Sequence, residues 1–349
     1  TVKVMVAKNS RNRPEGVVVE IIERSKTSFI GKVDKTKHCF IRLDDQSMNV
    51  DFYISADQAD KINHGDKVVV EMSDWPSGAK NPFGKIVEVL GKAGHNDVEM
   101  KSLLIENGFF LSFSKEAMRE AEALKIKIPA EEIAKRRDFR DVTTFTIDPL
   151  DAKDFDDAIS IKSIGENKWE IGVHIADVSY YVQEGSAMDK EALKRATSVY
   201  LVDRVAPMFP EELSNIVCSL RPNEEKCCYS AVFEMDDQAN VTNRWFGRTV
   251  IYSDKRFVYE EAQEVIDGKE GPFADELKTL NRLAHELRKK RFKEGSVNFD
   301  SPEVRFQLDD EGKPIGLYVK ERVDTHLLVE DFMLLANKHV AQYVGKEMN

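Results

Sequence analysis

Residues 141–160 read DVTTFTIDPLDAKDFDDAIS, six aspartates against one lysine, a local charge of −5. Most acidic runs are solvated surface. This one follows the apolar run VTTFTI directly and has Phe155, Ala158, Ile159 and Ile161 woven through it, so its carboxylates are pressed against a core. Carboxylates crowded there do not all stay ionised without a cation. Ligation by aspartate oxygens suits a hard divalent ion, Mg²⁺ in particular. Asp154 and Asp156 are two residues apart and share one side if the stretch is extended, and the Pro149 turn brings in Asp148. Such a set suffices for two ions, the arrangement that activates water and stabilises the leaving oxygen in phosphodiester hydrolysis. A calcium loop starting at Asp154 fails, because Ala158 and Ile159 stand where a ligand and a glycine are needed. A phosphatase with an aspartyl nucleophile also follows a strand with D-x-D and stays open. P-loop, G-x-S-x-G, H-E-x-x-H and cysteine zinc patterns are absent from the sequence.

The elements that must position these groups follow from hydrophobic periodicity. Residues 142–147, 158–161, 169–173 and 230–235 read as strands and 187–197 and 273–293 as helices, which predicts a mixed α/β domain. At 325–344, Leu328, Phe332, Leu335, His339 and Tyr343 fall at helical spacing with further apolar residues between them, which predicts a largely buried helix. Upstream, residues 16–91 hold short strands (GVVVEII, SFIGKV, CFIRLDD, VDFYIS, KVVVEM, GKIVEVLG) with no helix long enough for a crossover, the pattern of a small closed barrel of OB type. The Gly- and Pro-dense stretch 74–84 reads as a long hairpin loop, and 96–140 as helical, broken by Pro129. The chain starts in a strand-like run and ends in a helix without a cap, so it reads as a fragment cut at both ends.

With 349 residues, 42% of them hydrophobic and 32% charged, the chain has the composition of about two globular domains and is not a disordered protein. No apolar run is long enough to span a bilayer and no signal-peptide pattern is present, so the expected location is the cytoplasm, with no membrane partner. The four cysteines, Cys39, Cys218, Cys227 and Cys228, form no C-x-x-C pair and read as reduced structural thiols. A net charge of −11 argues against a nucleic-acid partner only if charge is spread evenly, and a carboxylate-rich metal site lowers the total while a basic groove persists elsewhere.

TIDPLDAKDFDDAIS, followed by GVHIADVSYYV (172–182) and TSVYLVDRVAPMFPEELSNIVCSL (197–220), closely resembles the ribonuclease R/ribonuclease II family, the RNB-domain exoribonucleases, and more so its ribonuclease R branch. The resemblance implies an α+β multidomain chain. Residues 1–15 would be the end of a preceding cold-shock domain or a linker, 16–92 a cold-shock-like OB barrel, 93–140 a helical linker, and 141–349 the N-terminal portion of the RNB domain, truncated at its C-terminal end. It further implies a processive 3′-to-5′ hydrolytic exoribonuclease that uses Mg²⁺, with Mn²⁺ as a substitute, acts on single-stranded RNA, releases nucleoside 5′-monophosphates, and is a monomer in full-length form.

Carried over by position, Asp148, Asp154, Asp156 and Asp157 match the family's metal-site carboxylates, with Asp156 and Asp157 catalytic and Asp156 foremost. Tyr200 matches the tyrosine that stacks near the 3′-terminal base, and Phe299 resembles the aromatic on the other side of that stack. Glu330 resembles a supporting acidic residue near the metal site; the alternative for it is the solvated face of a helix. In the barrel, Phe29, Phe40, Phe52 and Tyr53 with Lys32, Lys35, Lys37 and Arg42 resemble a cold-shock surface. Phe52 and Tyr53 are strand neighbours facing opposite sides, so only one of them faces RNA; the expected stacking set is Phe29, Phe40 and Phe52. Lys135, Arg136, Arg137 and Arg140 read either as phosphate contacts or as a solvated charge run, and His174 as a structural residue. The family domain continues beyond the equivalent of Asn349 and supplies an arginine to the scissile phosphate, whose loss slows phosphoryl transfer. The leading expectation is thus the exoribonuclease. The alternatives are an RNA-binding fragment that is catalytically silent and, less favoured, a metal-dependent phosphatase.

Overall fold

Residues 28–92 alternate apolar side chains with polar ones, and the computed structural model closes them into a barrel. The structure describes all residues except 7–15, 25, 46–47, 77, 298–302, 310–311 and 348–349. The chain divides into two units, Thr1–Leu111 and Ser112–Asn349. In the first, strands Ser28–Lys35, Cys39–Leu43, Phe52–Ile54, Phe83–Lys92 and Asp66–Asp74 pair in that order and close. Phe29, Val33, Ile41, Phe52, Ile54, Val68 and Val70 fill the interior. Ile30, Val69 and Leu90 face outward and are covered by Val98 of the helix Asn96–Glu106. Gly84 makes room for the interior side chains, since a Cβ there would lie 2.5 Å from Val70 Cγ2 and 3.0 Å from Ile54 Cδ1. The OB-type expectation holds, with one difference: the predicted first strand is not in the barrel. Gly16–Ile21 pairs with Val2–Val6 as a separate two-stranded ribbon. Its β-branched run Val17–Val19 shows no inside–outside alternation, and five strands already complete the closure.

The second unit is built on a seven-stranded sheet in the order Lys255–Val258, Thr144–Asp148, Asp157–Gly165, Lys168–Ala176, Glu225–Asp236, Val241–Tyr252, Arg137–Phe139. The two outermost pairings are parallel and the inner four antiparallel. Both faces are covered. On one, Phe145, Ile147, Ile159, Ile171 and Phe233 pack beneath the helices Tyr259–Ile266, Ala274–Lys293 and Asp324–Glu347 through Val265, Leu280, Leu283, Leu328 and Phe332. On the other, Phe139, Ala158, Cys228, Val232 and Ile251 meet Ala117, Met188, Leu213 and Leu220. All four cysteines are free and buried, and no helix among the described residues is long and apolar enough to cross a membrane.

In the basic run before the sheet Lys135 and Arg137 are exposed, and Arg136, Arg137 and Arg140 each have a carboxylate partner. Arg136 is buried, paired with Glu132 and Asp177 at 2.8 Å each. Arg137 pairs with Glu170 at 2.7 Å, and Arg140 with Asp138 at 2.6 Å and Glu225 at 2.9 Å.

His174 is structural. It is fully buried, with Nδ1 2.7 Å from Ser230 Oγ and Nε2 2.8 Å from Ser160 Oγ. Gly172 makes room for that ring, because a Cβ there would lie 2.4 Å from both His174 Nε2 and Ser160 Oγ. Burial, helped by the Arg137 charge, pushes the imidazole from its ordinary 6.5 down to about 3, so it is neutral in the fold. Below about pH 6.5 the unfolded chain takes up a proton that the folded chain refuses until about pH 3. The stability this site contributes is therefore complete above pH 6.5 and falls with pH, by about 1.4 kcal/mol per unit within the window. Urea unfolding at several pH values between 7 and 4.5 should show this slope in the wild type and lack its one-proton component in His174→Gln; equal slopes would contradict the assignment.

Candidate active site

The aspartates gather where one antiparallel hairpin turns. Thr144–Asp148 ends at Asp148, Asp157–Gly165 starts at Asp157, and the register pairs Ile159 with Phe145. Asp154 and Asp156 lie in the connecting loop, which is not extended strand as the alternation argument required. The loop is pinned from three sides. Ala176 N–H donates to the Asp156 carbonyl at 2.9 Å. The buried Ser219 Oγ accepts from Phe155 N–H at 3.0 Å and donates to the Lys153 carbonyl at 3.0 Å. The Arg256 guanidinium donates to the carbonyls of Pro149 and, at 3.1 Å, Leu150, and lies over the Phe155 ring at 5.4 Å.

Electrostatics follow from this crowding. Asp148 is 8% exposed and its Oδ2 is buried without a hydrogen-bond partner. Burial pushes its carboxyl up to about 7; the Thr146 hydroxyl and the Arg256 charge oppose the shift, and the Asp157 and Asp154 charges add to it. Asp156 is open to solvent on one side and hemmed in by protein on the others. That burial, with the charges of Asp154 and Asp157, pushes it up to about 6. Burial also raises Asp157. Tyr259 lies beside the cluster: burial, then the Asp157 and Asp148 charges, push its phenol up to about 12, so it stays protonated. Among the described residues no three side chains already enclose a common point at metal-ligand spacing. The cluster is an open array of hard oxygen donors with one buried lone pair unsatisfied, and mutual repulsion that a divalent cation would relieve. The residues fit such a cation.

Tyr200 is brought to the cluster. It stands on the short strand Val199–Tyr200, is 66% exposed, and its hydroxyl donates to Asp154 Oδ2 at 3.3 Å. Phe299 lies outside the described residues. Glu330 is half-buried on the helix Asp324–Glu347 and pairs with Arg322 and, at 3.7 Å, with Arg291. Its contacts are arginines, not the aspartates. Arg256, Tyr259 and Ser219 were missed by the sequence reading. The first two depend on the parallel pairing that sets Val258 beside Asp148, which leaves no local signal.

In the barrel two of the three expected stacking aromatics are wrong. Phe29 and Phe52 are 4% and 0% exposed and meet edge to face at 5.3 Å inside the barrel. Both belong to the inward phase of their strands, so neither reaches a base. The outward neighbour, Tyr53, joins Phe40 at 5.7 Å and Phe83 at 5.4 Å. Cross-strand register produces that row, Phe40 opposite Tyr53 and Tyr53 opposite Phe83. Of the barrel cations, Lys35 donates to the Ala59 carbonyl at 2.8 Å and Arg42 pairs with Asp34 at 2.5 Å, whereas Lys32 and Lys37 are exposed.

Comparison with known proteins fits this architecture. The RNB domain model matches residues 136–349 and the cold shock domain model residues 40–114. Ribonuclease R of Thermotoga maritima is 37% identical over 341 residues, covering 95% of this chain and 48% of that protein. The chain thus spans about half the length of the curated relatives it matches. Mycoplasma genitalium RNase R, solved with ribose-methylated single-stranded RNA, superposes with a TM-score of 0.89 at 23% identity over 99% of this chain and 56% of that one. Yeast Ssd1, described as a pseudonuclease, superposes at 0.70 with 20% identity over 100% of this chain and 44% of that one. A family model that accounts for the whole sheet, its covering helices and the aspartate hairpin leaves one assignment: the chain belongs to the RNB domain family, with a cold-shock domain preceding the RNB domain.

Proposed function

We propose that this chain carries the active site of a metal-dependent 3′-to-5′ exoribonuclease that releases nucleoside 5′-monophosphates from single-stranded RNA. The observation that supports it most is the convergence of Asp148, Asp154, Asp156 and Asp157 at one hairpin end, with a buried unpaired oxygen on Asp148 and a solvent-facing carboxylate on Asp156. These four would hold Mg²⁺, or Mn²⁺ in its place. When bound, the cation supplies charge neutralisation at the phosphate and activation of the attacking water.

The chain's own residues do the rest. Asp156 and Asp157 act closest to the reacting phosphate, Asp156 from the solvent side where RNA arrives. Arg256 holds the turn after Asp148 and offsets part of its charge. Tyr200 presents an exposed ring next to Asp154, suited to stack on the terminal base whatever its sequence. On the barrel, the row Phe40, Tyr53 and Phe83 offers three exposed or half-exposed faces for further bases. Phe299 and Glu330 are the remaining candidates from the sequence: Phe299 for the other side of the stack, Glu330 through the arginines it holds.

A second reading, an RNA binder without chemistry, is favoured by the shared fold of the pseudonuclease Ssd1. RNA labelled on its 3′-terminal nucleotide separates the two. The enzyme reading expects labelled mononucleotide to appear with Mg²⁺ and no hydrolysis of a small chromogenic phosphoester. Bound but intact RNA supports the binder, and rapid phosphoester hydrolysis a phosphatase.

A further inference from the structure

The loop that presents Asp154 and Asp156 belongs to no strand or helix, so its shape comes from what it is bonded to. Three bonds fix residues 153–155, and all three come from Ser219 and Leu220. The Ser219 hydroxyl takes the Phe155 N–H and gives to the Lys153 carbonyl, both at 3.0 Å; the Leu220 N–H gives to the Phe155 carbonyl at 2.8 Å. Phe155 is the residue between the two carboxylates, so these bonds set the direction in which each is presented.

Ser219 is itself held firmly. It is fully buried and follows the π-helical turn Glu212–Val217, which ends where Cys218 N–H returns to the Leu213 carbonyl at 2.8 Å. Such turns are rare, and they occur disproportionately at functional sites. The free carbonyls at its end are closed by the buried ammonium of Lys226, 2.6 Å from Ile216 O and 3.3 Å from Val217 O, with Glu224 at 2.9 Å as counter-charge. Leu213, Val217 and Leu220 anchor the segment in the core.

We propose that Ser219 is a positioning residue of the carboxylate cluster: it fixes the spacing of Asp154 and Asp156, and through it the affinity for the divalent cation, without touching cation or RNA. The inference rests on the metal reading above. Loss of the hydroxyl takes away the partner of the Phe155 N–H and of the Lys153 carbonyl at this part-buried loop, and freeing an outer support of this kind typically costs 10- to 100-fold in metal affinity.

The test is thermal unfolding of the full chain against Mn²⁺ concentration, without RNA, since a ligand bound only by the folded state raises the midpoint as it saturates. Ser219→Ala is expected to raise the half-saturating Mn²⁺ about 10-fold, with RNA affinity measured in EDTA unchanged and Ser219→Thr restoring the wild-type value. Val217→Ala, a core truncation on the same segment, is expected to lower stability while keeping the wild-type Mn²⁺ midpoint. Should Ser219→Ala not fold, Ser219→Cys carries the same expectation. The proposal is overturned if the serine variants keep the wild-type Mn²⁺ dependence, or if Val217→Ala shifts it equally. Asp156→Asn separates the two levels: Mn²⁺ binding lost in that variant but intact in Ser219→Ala refutes the serine's role alone. A wild type indifferent to Mn²⁺ refutes the metal reading and the serine's role together.

Discussion

Asp156→Asn is expected to slow the release of 3′-terminal nucleotides by about 10³-fold, on the order of 4 kcal/mol of transition-state stabilisation, while the protein is no less stable and binds RNA as before. The side chain keeps its shape and loses its charge. In the cation-free fold that charge is held against burial and against Asp154 and Asp157, which is why the carboxyl is pushed up to about 6. Removing it relieves repulsion, so stability does not fall. Single-turnover rates on labelled RNA, with unfolding curves for the same two proteins, check both halves of the expectation. A structural role would lower stability and activity together.

The second large effect separates two pairs of barrel aromatics that look alike in the sequence. Phe40→Ala combined with Tyr53→Ala should weaken single-stranded RNA binding about 30-fold or more and leave stability nearly unchanged, because each exposed ring contributes on the order of 1–3 kcal/mol by stacking. Phe52→Ala should do the reverse and cost about 3–5 kcal/mol of stability, since its ring is wholly inside the barrel against Phe29. Fluorescence anisotropy in EDTA and urea unfolding give the two readouts. RNA affinity that follows Phe52 and not Phe40 with Tyr53 would mean that the row Phe40, Tyr53 and Phe83 is not the binding face.

These cases show what a sequence makes legible. The aspartate cluster was readable because residue type alone restricts its chemistry, and the apolar residues woven through it marked the edge of a core. The barrel was readable because strand alternation and turn residues are local signals. The phase of the alternation was not. A choice between Phe52 and Tyr53 depends on which side of the strand the closure turns inward, and that is decided by pairing with Phe83 thirty residues away. Arg256, Tyr259 and Ser219 were hidden for the same reason, since each meets the cluster through a contact between distant segments. The basic run at 135–140 was hidden because its partners, Asp177, Glu170 and Glu225, arrive from other strands and loops. In the 16–21 strand, by contrast, the type was right and the partner wrong, as the short β-branched run Val17–Val19 specifies extended backbone but not a neighbour.

The proposed role of these carboxylates is to cut RNA from its 3′ end with the help of a divalent cation. A time course on 5′-labelled single-stranded RNA tests it most directly, run for the wild type with Mg²⁺, the wild type with EDTA, and Asp156→Asn with Mg²⁺. The expected result is a ladder that shortens stepwise from the 3′ end in the first reaction and full-length RNA in the other two. RNA that stays intact with wild type and Mg²⁺, or that shortens equally in all three reactions, would contradict it.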